Sequence, residues 1–250
     1  MRPVPVLIAL VASAVTVLCV SLRGEDSTAH EPKRKPFGID KRVPWTTSRI
    51  KGSPEPPPAY RTEVVFPKLK FFEPLDMASA QGSDRLFVAE RHGRLFSFPN
   101  DRRAAKADLL IDMKKTVYGF TFHPQFAKNG YVYITYILDP MKDEAEGTRV
   151  SRLKVTGDPP RCDPASEKVI ITWPSGGHNG GCLKFGRDGY LYIGTGDSSG
   201  IADERHTGQD LSDLSGSILR IDVDKPDPEK GYGIPKDNPF VGKKGARGEV

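Results

Sequence analysis

"DRLFVAERHGRLFSF", residues 84–98, reads as a strand, a tight turn at His92-Gly93 and a second strand. Similar runs follow it: "GYVYITYI" (130–137), "RVSRLKV" (149–155), "DGYLYIGTGD" (188–197) and "GSILRIDVD" (216–224). They are rich in Val, Ile, Tyr and Phe, alternate in places, and are bounded by Gly, Pro, Asn and Asp. No long stretch carries a 3.6-residue apolar period with caps. The fold class is therefore all-β.

The runs also repeat. Each unit has a polar or Gly turn, an aromatic-aliphatic strand, an excursion, and a strand ending in basic and aliphatic residues. Phe87, Tyr133 and Tyr192 hold like places in successive units, at intervals of roughly 50 residues, the length of a four-stranded propeller blade plus insertions. A β-sandwich would space its strands more closely and steadily. The expectation is a β-propeller with about three blades. A ring needs roughly four to eight, so three blades leave two open faces. The chain then reads as the front part of a larger protein, or as one completed by something else. Its last stretch, "GIPKDNPFVGKKGARGEV", looks like the opening of another strand.

Upstream, residues 25–62 are polar and Pro-rich, with "PEPPP" at 54–58 favouring an extended spacer. A core cannot be built from them, so the partial propeller is expected over 63–250. Arg2 precedes an apolar run at 6–22. Residues 1–24 thus read as a signal peptide or a membrane anchor. Cys19 lacks the small residues that usually precede a lipidated cysteine. Export would place Cys162 and Cys182 in an oxidising compartment, either as one bridge or as two small buried hydrophobes. The net charge of +5 comes largely from short basic clusters near the two ends, without interleaved aromatics. That pattern suits solvated tails and gives no nucleic-acid surface.

Chemical character concentrates in "GGHNGGCLKFGRDGYLYIGTGDSSG", residues 176–200. His178 stands among glycines, a strand follows, and Asp197 closes a Gly-rich turn. An imidazole is an efficient proton acceptor near neutral pH, and a nearby carboxylate fixes its tautomer. The intervening residues leave room for a strand out and back, which can return Asp197 to the rim that carries His178. The glycines would keep bulk from the ring so that backbone can approach a flat ligand. The alternative is structural: His178 caps a turn and Asp197 bonds backbone amides. His123, in "FHPQF", reads as an architectural hydrogen-bonding group, and His92 as an exposed turn residue. His206 lies in the polar excursion 198–213 with Asp203, Glu204, Asp210 and Asp213. A calcium site needs six to eight oxygens in a tight turn. This spacing matches no metal loop, so no metal is assigned.

Three ordered stretches resemble the pyrroloquinoline-quinone (PQQ)-dependent sugar dehydrogenases, the glucose/sorbosone dehydrogenase family. They are "DRLFVAERHGRLFSF", "VYGFTFHPQFAKNGYVYITY" (117–136), and residues 176–200 followed by "GSILRID" and "GIPKDNPF". The resemblance implies a six-bladed propeller with the quinone over its central mouth and a sugar or polyol above it. It implies that His178 takes the hydroxyl proton as hydride passes to the quinone, and that Asp197 supports His178. The export signal or membrane anchor expected at the N-terminus gives a periplasmic or extracellular location, membrane-anchored where the apolar run is uncleaved, and an electron acceptor such as a cytochrome is an expected partner. In the family, the Arg and Lys contacts to the cofactor and the calcium ligands come from the second half of the ring. No cofactor-binding residue is therefore assigned here, and calcium would enter only through that half. Lys114 and Lys115 stand where well-studied glucose enzymes carry a Gln that touches sugar, and Gly177 where they carry an Asp. Glucose specificity does not carry over. A non-catalytic propeller binding module, or an inactive fragment, is the competing expectation. A hydrolytic propeller of the lactonase kind would need a calcium cluster that the sequence lacks.

Overall fold

A computed structural model describes residues 61–250. The leader and the Pro-rich segment lie outside the described residues. The first sheet joins β1 (Pro74–Ser79), β2 (Arg85–Glu90), β3 (Arg94–Pro99) and β4 (Asp108–Asp112) in sequence order. The second joins β5 (Thr116–Phe122), β6 (Tyr131–Ile137), β7 (Thr148–Thr156) and β8 (Arg161–Trp173) in the same way. The third joins β9 (Gly180–Phe185), β10 (Leu191–Thr195) and β11 (Ile218–Ile221). Every pairing is antiparallel. Helix is confined to α1 (Phe126–Asn129) and a 3-10 turn at Thr207–Gln209 among the described residues.

The three sheets are blades of a β-propeller. Successive first strands lie side by side, β1 against β5 and β5 against β9, as strands lining a common axis must. Two cores fill the spaces between neighbouring sheets. Phe87, Leu95 and Leu110 of the first sheet meet Phe120, Ile134 and Leu153 of the second. Val150, Ile171 and Trp173 of the second sheet meet Leu183, Leu191, Ile193 and Leu219 of the third. Strand alternation makes this double use available. In β6, Val132, Ile134 and Tyr136 enter the first core while Tyr133 enters the second. Phe87, Tyr133 and Tyr192 do fall on the second strand of successive blades, as their spacing predicts.

The third sheet has three strands, and its outer edge is occupied by chain from farther on. The Arg220 N–H donates to the Glu249 carbonyl at 2.7 Å. The Asn238 amide donates to the carbonyls of Arg220 (2.9 Å) and Gly248 (2.8 Å). Residues near 249 therefore run along β11, where the sequence suggested a strand beginning afresh. Glu249 is 1% exposed. Burial pushes its carboxyl up, but hydrogen bonds from Tyr232 and Lys230 and the charge of Arg247 more than offset this and hold it below the ordinary glutamate range.

A chain of contacts collects one end of each blade into a common rim. The Arg91 N–H donates to the Glu73 carbonyl, and Val117 N–H to the Arg91 carbonyl. Lys115 Nζ donates to the Leu138 carbonyl at 3.1 Å. Ser175 N–H donates to the Glu144 carbonyl, and His178 N–H to the Ser199 carbonyl. The starts of β1, β5 and β9 thus share an edge with the β2–β3, β6–β7 and β10–β11 connections.

Candidate active site

His178 sits on this rim, in the turn between Trp173 at the end of β8 and Gly180 at the start of β9. Asp197 follows β10 by two residues. Backbone bonds bring the two segments together: His178 N–H to Ser199 O (2.9 Å), Ser198 N–H to His178 O (2.9 Å) and Gly196 N–H to Asn179 O (3.2 Å). His178 Nδ1 then lies 3.2 Å from Asp197 Oδ1. That oxygen also accepts the Ser199 N–H at 2.9 Å. With the carboxylate facing it, Nδ1 carries the proton and Nε2 is left as the acceptor. The His178 side chain is 53% exposed and Asp197 22%, so the pair is reachable from solvent.

The glycines here have a different role from the one their sequence suggests. A Cβ at Gly176 would fall 1.9 Å from the Ser198 carbonyl oxygen, and one at Gly177 2.2 Å from that of Ser199. At Gly196 it would fall 2.0 Å from the His178 carbonyl oxygen. Gly180 and Gly181 likewise abut Gly196 and Thr135. They permit close approach of protein to protein, and no flat ligand is needed to explain them. Ser198 has a φ of 55°, a left-handed conformation uncommon for a residue with a Cβ. It is 1% exposed, and its hydroxyl donates to the Pro174 carbonyl at 2.7 Å. This turns the chain sharply after Asp197 and ties it to the His178 turn.

Two residues that the sequence reading passed over complete the frame. Asn179 is 2% exposed, and its amide donates to the Gly176 carbonyl at 2.7 Å and accepts the Gly176 N–H at 2.8 Å. Its position between two glycine pairs, a place where Asn commonly closes turns, was the available signal. Arg205 reaches from the excursion to the Ser175 carbonyl (3.2 Å) and to Asp143 of the β6–β7 connection (2.8 Å). Nothing local in the sequence announces that pairing.

The other sequence candidates lie elsewhere or are otherwise engaged. His123 is 2% exposed. Its Nδ1 accepts from Gln125 N and Asn129 Nδ2, so Nε2 donates to Asp224 at 3.0 Å, and it staples two blades together as an architectural group. His92 stacks on Phe72 and faces Glu73 at 3.3 Å. His206 begins the 3-10 turn. Asp203, Glu204, Asp210 and Asp213 each accept backbone N–H groups of their own loop. Among the described residues no His, Cys, Asp and Glu group is arranged to hold a metal ion. Cys162 and Cys182 are both free thiols, and burial pushes the Cys162 thiol up to about 12.

Residues 71–250 match the sequence profile of the Glucose / Sorbosone dehydrogenase family. The chain belongs to that family. Mouse Hedgehog-interacting protein is 31% identical over 180 residues, covering 64% of this chain and 26% of its own length. A glucose dehydrogenase crystal structure superposes with a TM-score of 0.56 at 28% identity, over 72% of this chain and 50% of that one. The PQQ-bound aldose sugar dehydrogenase of Streptomyces coelicolor gives 0.56 at 23% identity, over 74% and 51%, and shows the shared fold. The chain spans 34% and 26% of the first curated relatives it matches.

PQQ is the cofactor bound in that structural relative, and its three carboxylates call for cations. On the rim, Arg205 pairs with Asp143, Lys142 pairs with Asp139 at 3.0 Å, and Lys115 donates to the Leu138 carbonyl. The described residues of this glucose/sorbosone dehydrogenase segment place an exposed imidazole beside a carboxylate. Among them no side chain is assigned to the quinone's carboxylates.

Proposed function

We propose that this chain supplies the proton-accepting side of an exported, PQQ-dependent oxidoreductase acting on sugars or related polyols. The His178–Asp197 pair carries the reading. His178 Nε2 takes the proton of a substrate hydroxyl, and Asp197 holds Nδ1–H and stabilises the imidazolium. When bound, PQQ would supply the two-electron oxidant for the carbon bearing that hydroxyl. Residues 1–24 act as the export signal or anchor, and 25–62 as a spacer before the propeller. Export agrees with the apolar run at 6–22. Among the described residues no helix is long and apolar enough to cross a membrane.

The test is His178→Gln in the complete protein, loaded with PQQ and assayed with a panel of aldoses and polyols. Gln keeps one hydrogen bond and removes the base. Turnover is expected to fall roughly 10²–10⁴-fold with quinone still bound. Asp197→Asn is expected to do less damage, through a misoriented ring. A His178→Gln enzyme turning over at the wild-type rate would overturn the assignment.

A second reading has its own support. Hedgehog-interacting protein, by its name a protein-binding relative, is 31% identical over 180 residues, and three rim cations here, Arg205, Lys142 and Lys115, contact neighbouring loops. Under this reading the rim is a docking surface for another protein. A complete protein that neither binds PQQ nor oxidises any aldose or polyol would favour it.

A further inference from the structure

We infer that Asn179 is the positioning residue that keeps His178 in register with Asp197. This rests on the reading of His178 as a base.

The turn that carries His178 is poorly equipped to hold a side chain still. Gly176 and Gly177 precede it, and Gly180 and Gly181 follow. Glycines lose the most conformational freedom on ordering, and none of these four offers a side chain to pack. Between them, Asn179 alone among residues 176–181 is both buried and armed with a polar side chain, at 2% exposure. Its amide closes the turn from both sides, accepting the Gly176 N–H and donating to the Gly176 carbonyl. The Thr148 hydroxyl of β7 donates to the same amide oxygen at 3.1 Å, anchoring the turn to the second blade. The backbone carbonyl of Asn179 accepts Trp173 Nε1 at 3.0 Å and the Gly196 N–H. Trp173 is 1% exposed, so the turn is pinned to the core between the second and third sheets. Gly196 immediately precedes Asp197. One residue thus links the loop of the base, the strand end of the carboxylate and the nearest rigid core.

Asn179 reaches no part of a substrate in this arrangement and acts only through His178. Removing its amide frees Gly176 while leaving the backbone bonds of residue 179 available. The blade therefore keeps its pairing and the turn loses its clamp.

The test is Asn179→Ala, read in two ways. In the chain without ligand, nitrogen-15 NMR of the His178 ring reports which nitrogen carries the proton. The wild type is expected to show the Nδ1–H form, and Asn179→Ala a mixture of the two tautomers. An unchanged single tautomer in the variant would overturn the inference. In the complete, PQQ-loaded protein, kcat is expected to fall on the order of 10- to 100-fold, as misplacement of a catalytic group does, with KM little changed. A double-mutant cycle then separates the possibilities. Combined with His178→Gln, Asn179→Ala is expected to cause almost no further loss. If it causes its full loss there as well, Asn179 does not act through His178 and the inference fails. If His178→Gln is harmless, the base reading itself fails, and the NMR result still judges the positioning of the ring. Should Asn179→Ala not fold, Asn179→Asp serves in its place. It keeps the acceptor for the Gly176 N–H and loses the donor to the Gly176 carbonyl. A wild-type tautomer and wild-type kcat in that variant would overturn the inference equally.

Discussion

Replacing Gly196 with Ala would place a Cβ 2.0 Å from the carbonyl oxygen of His178 and 2.7 Å from its carbonyl carbon. Ordinary non-bonded contact lies near about 3.5 Å, so the two segments would have to part by roughly 1.5 Å. Both contacts are backbone, and no side chain can swing away to relieve them. Overpacking of this kind costs about 1–3 kcal/mol. The opening also strains the Ser198–His178 and Gly196–Asn179 backbone bonds, each worth roughly 0.5–1.5 kcal/mol. The expected loss is about 2–6 kcal/mol, a fall in melting temperature of roughly 4–24 °C for a domain of this size. Gly194→Ala is the control. There the new Cβ would meet only Cys182 Cβ, at 3.9 Å, and relief of glycine flexibility makes the change neutral or slightly stabilising by up to about 1 kcal/mol. Thermal melts of the two variants beside wild type, with amide exchange at Ser198, form the assay. Two variants melting together, with Ser198 protection intact, would refute the close-approach account of the His178–Asp197 junction.

Other expectations follow from single environments. In the native protein at neutral pH, an alkylating reagent should modify exposed Cys182 and spare Cys162, which is 8% exposed with its thiol pushed up to about 12; mass spectrometry showing native Cys162 labelled at the same rate would contradict the core assignment. Glu249 has a depressed carboxyl in the folded chain, so its contribution is present above the ordinary glutamate range and is lost as pH falls through the folded value. Glu249→Gln should therefore lower stability by about 1.5–3 kcal/mol at neutral pH, the worth of a charged hydrogen bond, and the gap to wild type should close on acidification. Denaturation curves separated by a constant amount from pH 7 to pH 3 would exclude this linkage.

The strands that were legible in the sequence are those dense in aromatic and aliphatic residues. β2, β3, β6 and β10 present Val, Ile, Leu, Phe or Tyr to one core or the other, and their turns carry Gly or polar residues. β8 was hidden. Its first part, "RCDPASEKV", is mostly exposed and contains a Pro, so no apolar period marks it. What makes it a strand is the ladder with β7, interrupted by two register shifts. β4, five residues of "DLLID", was too short to separate from a loop. The His178–Asp197 pairing was readable because two strands joined by a short turn, β9 and β10, must return the chain near its origin. Asn179 and Arg205 were not readable as frame residues. Their partners, Thr148 and Asp143, lie 31 and 62 residues away in sequence, and only the assembled rim brings them within reach.

The interleaved cores have a consequence for how such a chain can diverge. Every large apolar side chain of β2, β6 and β10 that faces a neighbouring blade is committed to packing, whereas the rim is sewn together by polar side chains and backbone. Substitutions at the exposed positions of segments 139–146 and 200–213 can alter what the rim presents while leaving both inter-sheet layers untouched. Stability and recognition are then separately heritable. A lineage could exchange a proton-accepting imidazole for a protein-gripping loop, or the reverse, on an unchanged stack of sheets.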